Sequence, residues 1–216
     1  MRIQRSSLFR IVPIALTCLL ICKTVLSVFA SYPNYLPPDF SSDFLIGRER
    51  TFFGIYQWNF NVHILSGPCT LIFGMLLLSR KFLHRFPKWH RYLGRTQVLL
   101  IVTMVAPTGL WMALYAESGP IAGIAFAGLA ISTAYCAVCG WRSAVNRRFA
   151  KHQIWMQRCF ALLCAAVVQR VLGGLGTFAE VEAQSFNTFS PWLSWLLPVA
   201  GLEIVRRICT TTRIKK

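Results

Sequence analysis

The chain has 216 residues, 55% of them hydrophobic, and 23 Lys and Arg against 7 Asp and Glu give a formal net charge of +16. Such apolarity excludes disorder, and it outweighs the nucleic-acid reading that the charge alone would invite. Charged residues are only 14% of the chain, well under the ~25% of a soluble domain, so the expectation is an all-α, polytopic membrane protein forming a single membrane domain over residues 1–216.

A spanning helix needs ~20 predominantly apolar residues. Six segments meet that length, near 8–30, 57–79, 93–116, 120–141, 153–176 and 191–208. Their apolar runs are too long and too continuous for the alternating ~10-residue strands of a membrane barrel. The first has the basic start of a signal peptide and a small-residue context at Val28-Phe29-Ala30, but its apolar stretch resumes beyond Lys23, so an uncleaved helix is expected. Residues 31–56 form the longest loop, stiffened by Pro33, Pro37 and Pro38.

Charge sets the expected orientation, because basic residues collect in cytoplasmic loops. Arg2, Arg5 and Arg10 open the chain, Arg80 to Arg95 fill the second connection, Arg142 to Arg158 flank the fourth, and Arg206 to Lys216 end it. Those stretches hold nineteen basic residues, and their loops hold no carboxylate. The opposite side carries Asp39, Asp43, Glu49, Glu117, Glu180 and Glu182 against Arg48 and Arg50. Both termini are therefore expected in the cytoplasm, and the basic face is expected to attract anionic lipids of the inner leaflet. The tryptophans agree: Trp89, Trp141 and Trp155 fall at inner ends, and Trp58, Trp111, Trp192 and Trp195 at or near outer ends.

Seven of the eight cysteines lie inside the six segments and none lies in an outer loop, which argues against a disulfide framework. Cys136 and Cys139 make a single CxxC, which without a second pair reads as two small helix-face residues and not as a zinc site. No metal site is expected.

Ionisable groups inside a bilayer are functional candidates. His63 lies about two turns into the second segment, ahead of Gly67-Pro68. Pro68 cannot donate to the Ile64 carbonyl, so a kink and a freed carbonyl are expected beside the histidine. Arg170 falls at a similar depth on the fifth segment, so His63 and Arg170, closed by Glu117 or Gln57, form one candidate pocket for a small polar or anionic ligand. The competing readings are a helix–helix contact for His63 and a snorkelling Arg170. His90 and His152 begin the third and fifth segments at the inner side, each with a Trp and an Arg nearby, and form a second candidate pair. Its alternative is an interfacial anchor. His84 reads as solvated, Lys23 as snorkelling or paired, and Glu203 as locally paired with Arg206 and Arg207. Ser66, Thr70 and Gly74, then Gly119, Gly123 and Ala127, then Gly173, Gly174 and Gly176, form small-residue stripes for close helix packing.

The order of these motifs is distinctive: His63 to Pro68, then His90-Arg91-x-x-Gly94-Arg95, then His152 with Trp155-Met156-x-Arg158, then Arg170. It resembles the bacterial membrane proteins grouped as domain of unknown function family 2306, over roughly residues 40–175. Gln153 departs from the His-Arg pair common in that family. The resemblance implies a multi-pass helical domain with no assigned activity. A more distant analogy is the cytochrome b561-like bundle, which holds two haems through paired histidines. Here one bis-His haem at most is expected, on His90 and His152.

Three functions follow as expectations. The first is a ligand-binding or transport protein of the inner membrane using His63, Arg170 and Glu117. The second is a redox protein holding haem b on His90 and His152 and exchanging electrons with a quinone. The third is a non-catalytic accessory subunit, alone as a homo-oligomer or with a partner membrane subunit. A hydrolase is disfavoured, since no activated nucleophile and base pair is visible.

Overall fold

The computed structural model describes residues 2–42, 44–178 and 183–214; the side chains of residues 1–14, 177, 183–184 and 209–214 are not among those described. The expected roles of Asp43, Glu180, Glu182, Lys215 and Lys216 therefore lie outside the described residues, as do the side chains of Arg2, Arg5, Arg10 and Arg213. The chain divides into two units, Met1–Thr51 and Phe52–Lys216.

The first unit is helix α1 (Arg2–Ser31), a 3-10 turn at Tyr32–Asn34 and a run of turns. Asp39 organises those turns: its Oδ1 accepts from the Ser41 amide at 2.9 Å and from the Ser41 hydroxyl at 2.7 Å. These bonds favour the carboxylate, so its pKa lies below the ordinary aspartate value. Arg48 folds back over Phe44, with its guanidinium carbon 4.8 Å from the ring centre and its Nε–H donating to the Phe44 carbonyl at 3.1 Å. Lys23 is exposed on α1.

The second unit is a bundle built from α2 (Ile55–Leu78), α3 (Arg80–Arg85), α4 (Pro87–Leu100), α5 (Ala106–Ala113), α6 (Pro120–Val145), α7 (Phe149–Leu163), α8 (Ala165–Phe178) and α9 (Ala183–Ile214). α4 and α5 are joined by a π-helical turn, Ile101–Val105, into one continuous run. α7 and α8 are likewise consecutive, meeting at Cys164. No strand occurs among the described residues.

Five described helical runs are long and apolar enough to cross a membrane: Ala15–Asn34, Ile55–Leu78, Pro87–Ala113, Pro120–Val145 and Phe149–Gly176. The sixth expected segment, 191–208, is the middle of α9. That helix is longer than expected, but its apolarity is diluted by Ser190, Ser194, Glu203 and Arg206, and Pro191 and Pro198 lie within it.

Small residues set how closely the helices approach, as the stripes predict, though not at every position. A Cβ on Gly123 would come within 2.7 Å of the Ala113 carbonyl oxygen, so α5 and α6 touch backbone to side. A Cβ on Gly74 would meet Phe160 at 2.5 Å, and one on Gly140 would meet Met156 Sδ at 2.5 Å. Gly119 works differently: its φ of 89° opens α6. Gly173 and Gly174 face open space, and only Gly176 of that stripe packs, against Phe186. The core joins Ile101, Cys136, Ala137, Cys159 and Leu162, with Trp155, Trp195 and Val199 against it. Trp195 is thus a packing residue of the bundle and not the membrane-surface anchor expected from its position.

Pro68 does not break α2, which runs through it without interruption. Nearby hydroxyls return to the same helix, Ser66 to the Val62 carbonyl and Thr70 to the Gly67 carbonyl, both at 2.7 Å. Ile64 is not left without a partner.

Candidate functional site

The basic connections α2–α4 and α6–α7 lead into His90 and His152, and the packing above them orients the two helices that carry them. α2, α4 and α7 converge at Gly74, where a Cβ would meet both Phe160 and, at 3.5 Å, Gln97 Nε2. Gln97, 1% exposed, donates from that Nε2 to the Thr70 carbonyl at 3.0 Å, which fastens α4 to α2. His90 precedes Gln97 by seven residues, about two turns, so it continues the same bundle-facing stripe toward the basic end. His152 stands in the same relation to Cys159, which is 1% exposed.

α4 and α7 each pack on α2 and α6 but not on each other. His152 Nδ1 lies 2.9 Å from the Gly140 carbonyl oxygen. A carbonyl only accepts, so Nδ1 carries the proton and the neutral ring keeps its lone pair on Nε2. The tight α6–α7 approach at Gly140 is what brings that carbonyl within reach. His90 Nδ1 is buried with no hydrogen-bond partner, as is Gln97 Oε1 above it. His90 Nδ1 is thus an unmet nitrogen near the start of α4, and His152 lies near the start of α7. Lys88, Arg91, Arg95 and Lys151, close to them in the chain, are exposed, and His84 is exposed on α3 as expected.

His63 makes a different kind of contact. Its Nδ1 lies 3.0 Å from Thr108 Oγ1, and that hydroxyl donates to the Met104 carbonyl at 2.6 Å. The single hydroxyl proton is thereby used, so His63 Nδ1–H is the donor to Thr108. The ring also lies against Gly109, where a Cβ would come within 3.1 Å of its Cε1. The backbone explains the placement of Thr108. In the π turn the Ala106 amide donates five residues back, to Ile101, and Pro107 has no amide hydrogen to give. His63 thus fastens α2 to the start of α5.

Arg170 is exposed on α8, with its Nη1–H donating to the Ala166 carbonyl at 3.3 Å. α8 packs on α9 and α7 and makes no packing contact with α2, which carries His63. Glu117 is exposed in the turn between α5 and α6. Gln169, beside Arg170, donates to Ser190 Oγ at 3.0 Å and ties α8 to α9. Glu203 makes its shorter ion pair across the bundle, with Arg158 Nε at 2.7 Å, and the local one with Arg206 is 3.7 Å. The Arg158 guanidinium also lies 4.9 Å from the Trp155 ring centre. Cys136 is buried, both cysteines of the CxxC are free, and among the described residues no group of three or more His, Cys, Asp or Glu could hold a metal ion.

Sequence reading missed Thr108, Gln97 and Gly140. Gln97 and His90 at a seven-residue spacing is a signal the sequence carries; a backbone acceptor such as Gly140 leaves none.

A family model described as a predicted membrane protein, DUF2306, matches residues 60–205. The matched region runs from α2 into α9 and lies wholly within the second unit. No curated protein matches, and no solved structure matches.

Proposed function

We propose that this chain, which belongs to the DUF2306 family of predicted membrane proteins, holds one b-type haem between His90 and His152 and acts as a one-electron redox protein of the cytoplasmic membrane. The observation that carries the reading is the state of the two rings: His152 has its Nδ1–H fixed by a backbone carbonyl and its Nε2 lone pair available, and His90, near the start of a helix at the other basic connection, has a buried Nδ1 with no partner. A ligating histidine ordinarily has its second nitrogen held in this way. The donor set fits a bis-histidine haem, which needs two neutral imidazoles and an apolar wall. Phe160 on α7 supplies apolar surface at Gly74, beside Gln97.

When bound, such a group supplies reversible one-electron transfer. The chain's own residues do the rest. His152 is oriented by the Gly140 carbonyl, and Gln97 closes the space above. The lysines and arginines near His90 and His152 in the chain would favour the more negative, reduced form of a bound haem. The topology that goes with this reading has six spans, with the middle of α9 as the sixth and both termini in the cytoplasm. It is supported by the concentration of basic residues in alternate connections.

The test is the haem content of protein purified after haem supplementation. One haem per chain is expected, lost at least tenfold in His90→Ala and His152→Ala and retained in His84→Ala. No retained haem in the parent chain, or equal haem in all four proteins, contradicts the reading.

A further inference from the structure

The first turns of α4 divide into faces of different chemistry. Each residue turns the helix by about 100°, so His90 and Gln97 share the bundle side while Trp89, Tyr92 and Leu99 fall on the side opposite. Gln97 is buried, and Trp89, Tyr92 and Leu99 are all exposed. Trp89 and Tyr92 meet edge to face, with ring centres 6.1 Å apart. Lys88, Arg91 and Arg95 make a third stripe beside the aromatic one, and each is exposed.

Depth gives these faces a meaning. The run Pro87–Ala113 is long and apolar enough to cross a membrane, and Arg95 lies ~12 Å along it from Pro87. Indole and phenol rings settle at headgroup level, so the arginine stripe passes through that level and below it. Arg91 and Arg95 are four residues apart, with Cβ atoms about 5–6 Å from each other, and like charges at that spacing repel. Among the described residues neither guanidinium has an ion-pair partner, because Glu203 is engaged by Arg158 and Arg206. Two guanidinium forks on one face match the oxygens of a phosphate. The exposed aromatic and leucine face beside them matches acyl chains. A zwitterionic headgroup brings its own cation to the arginines, whereas a net negative one does not.

We infer that Arg91 and Arg95, with Lys88, hold the headgroup phosphate of one anionic phospholipid whose acyl chains lie along Trp89, Tyr92 and Leu99. The lipid occupies faces of α4 other than the one that carries His90, so its binding requires no haem.

The experiment is native mass spectrometry of the full chain, purified in detergent and given equal amounts of phosphatidylglycerol and phosphatidylcholine. The parent is expected to retain phosphatidylglycerol in preference. Arg91→Gln with Arg95→Gln lowers that retention roughly tenfold or more, from the loss of two cations at a membrane surface. Arg142→Gln with Lys151→Gln removes the same charge from exposed positions on two different helices, and it leaves most of the retention in place. Trp89→Ser with Tyr92→Ser keeps the cations and also weakens retention. The Tm of each variant in phosphatidylcholine nanodiscs stays near the parent's, since every replaced side chain is exposed. Equal retention of the two lipids by the parent overturns the assignment without recourse to any variant. Equal losses in the two charge variants reduce the effect to diffuse attraction and overturn it too. Full retention after loss of both aromatic rings identifies a bare anion site and overturns the phospholipid.

Discussion

His63 shows how much a single intramembrane polar residue can do without a ligand. Its bond to Thr108 links α2 to α5 at the place where a π turn and Pro107 disturb the backbone ladder. Bonds of this kind in membrane bundles are worth ~0.6 kcal/mol on average and ~1.7 at most. His63→Ala and Thr108→Val should therefore each lower stability modestly, and the double variant should be less destabilised than the sum of the two by about that amount. Unfolding in mixed micelles measures this cycle; strict additivity would contradict the bond. Asp39 offers a second residue-scale test, outside the spans. The Ser41 bonds lower its pKa, so the turn is held above the ordinary aspartate range and loosens as pH falls through the depressed value. Carboxyl NMR titration should show Asp39 moving back toward the usual value in Ser41→Ala, with the backbone-amide bond keeping part of the shift.

At the scale of elements, glycines divide into those that admit a neighbour and those that do not. Gly123 meets a backbone carbonyl that cannot swing aside, so Gly123→Ala should cost ~1–3 kcal/mol by forcing α5 and α6 apart. Gly174 faces open space within α8, and Gly174→Ala should instead gain up to ~1 kcal/mol from helix propensity alone. Paired Tm measurements of opposite sign would establish the division, and equal signs would refute it. The sequence carried the stripes but not this sorting, because a four-residue spacing gives a face and not the partner on that face. The same gap explains Arg170. Equal depth along two helices is readable from residue counts, but α8 lies on α9 and not beside α2, and helix neighbours are set by packing. His90 and His152 were legible as histidines that each lie near the start of a helix at a basic connection. Gln97 and Gly140, which orient their surroundings, act through backbone carbonyls that sequence does not mark.

For the whole molecule, five helical runs long and apolar enough to cross a membrane follow from apolar length alone, and five of the six expected segments lie within or largely overlap them. α9 was harder because it mixes a span with serines, two prolines and an ion pair reaching Arg158, so composition and packing pull in different directions. Those polar groups are where the bundle departs from a simple apolar barrel of helices. Gln97 and His90 lie on one stripe of α4, where Gln97 fastens α4 to α2, and the Arg158–Glu203 pair links α7 to α9. The measurement that tests this account most directly is the reduced-minus-oxidised absorption spectrum of the purified chain, recorded alongside His152→Ala. The account predicts a Soret band and a sharp α band on reduction in the parent, both absent from the variant. A featureless parent spectrum after haem supplementation, or one that survives the loss of His152, would contradict it.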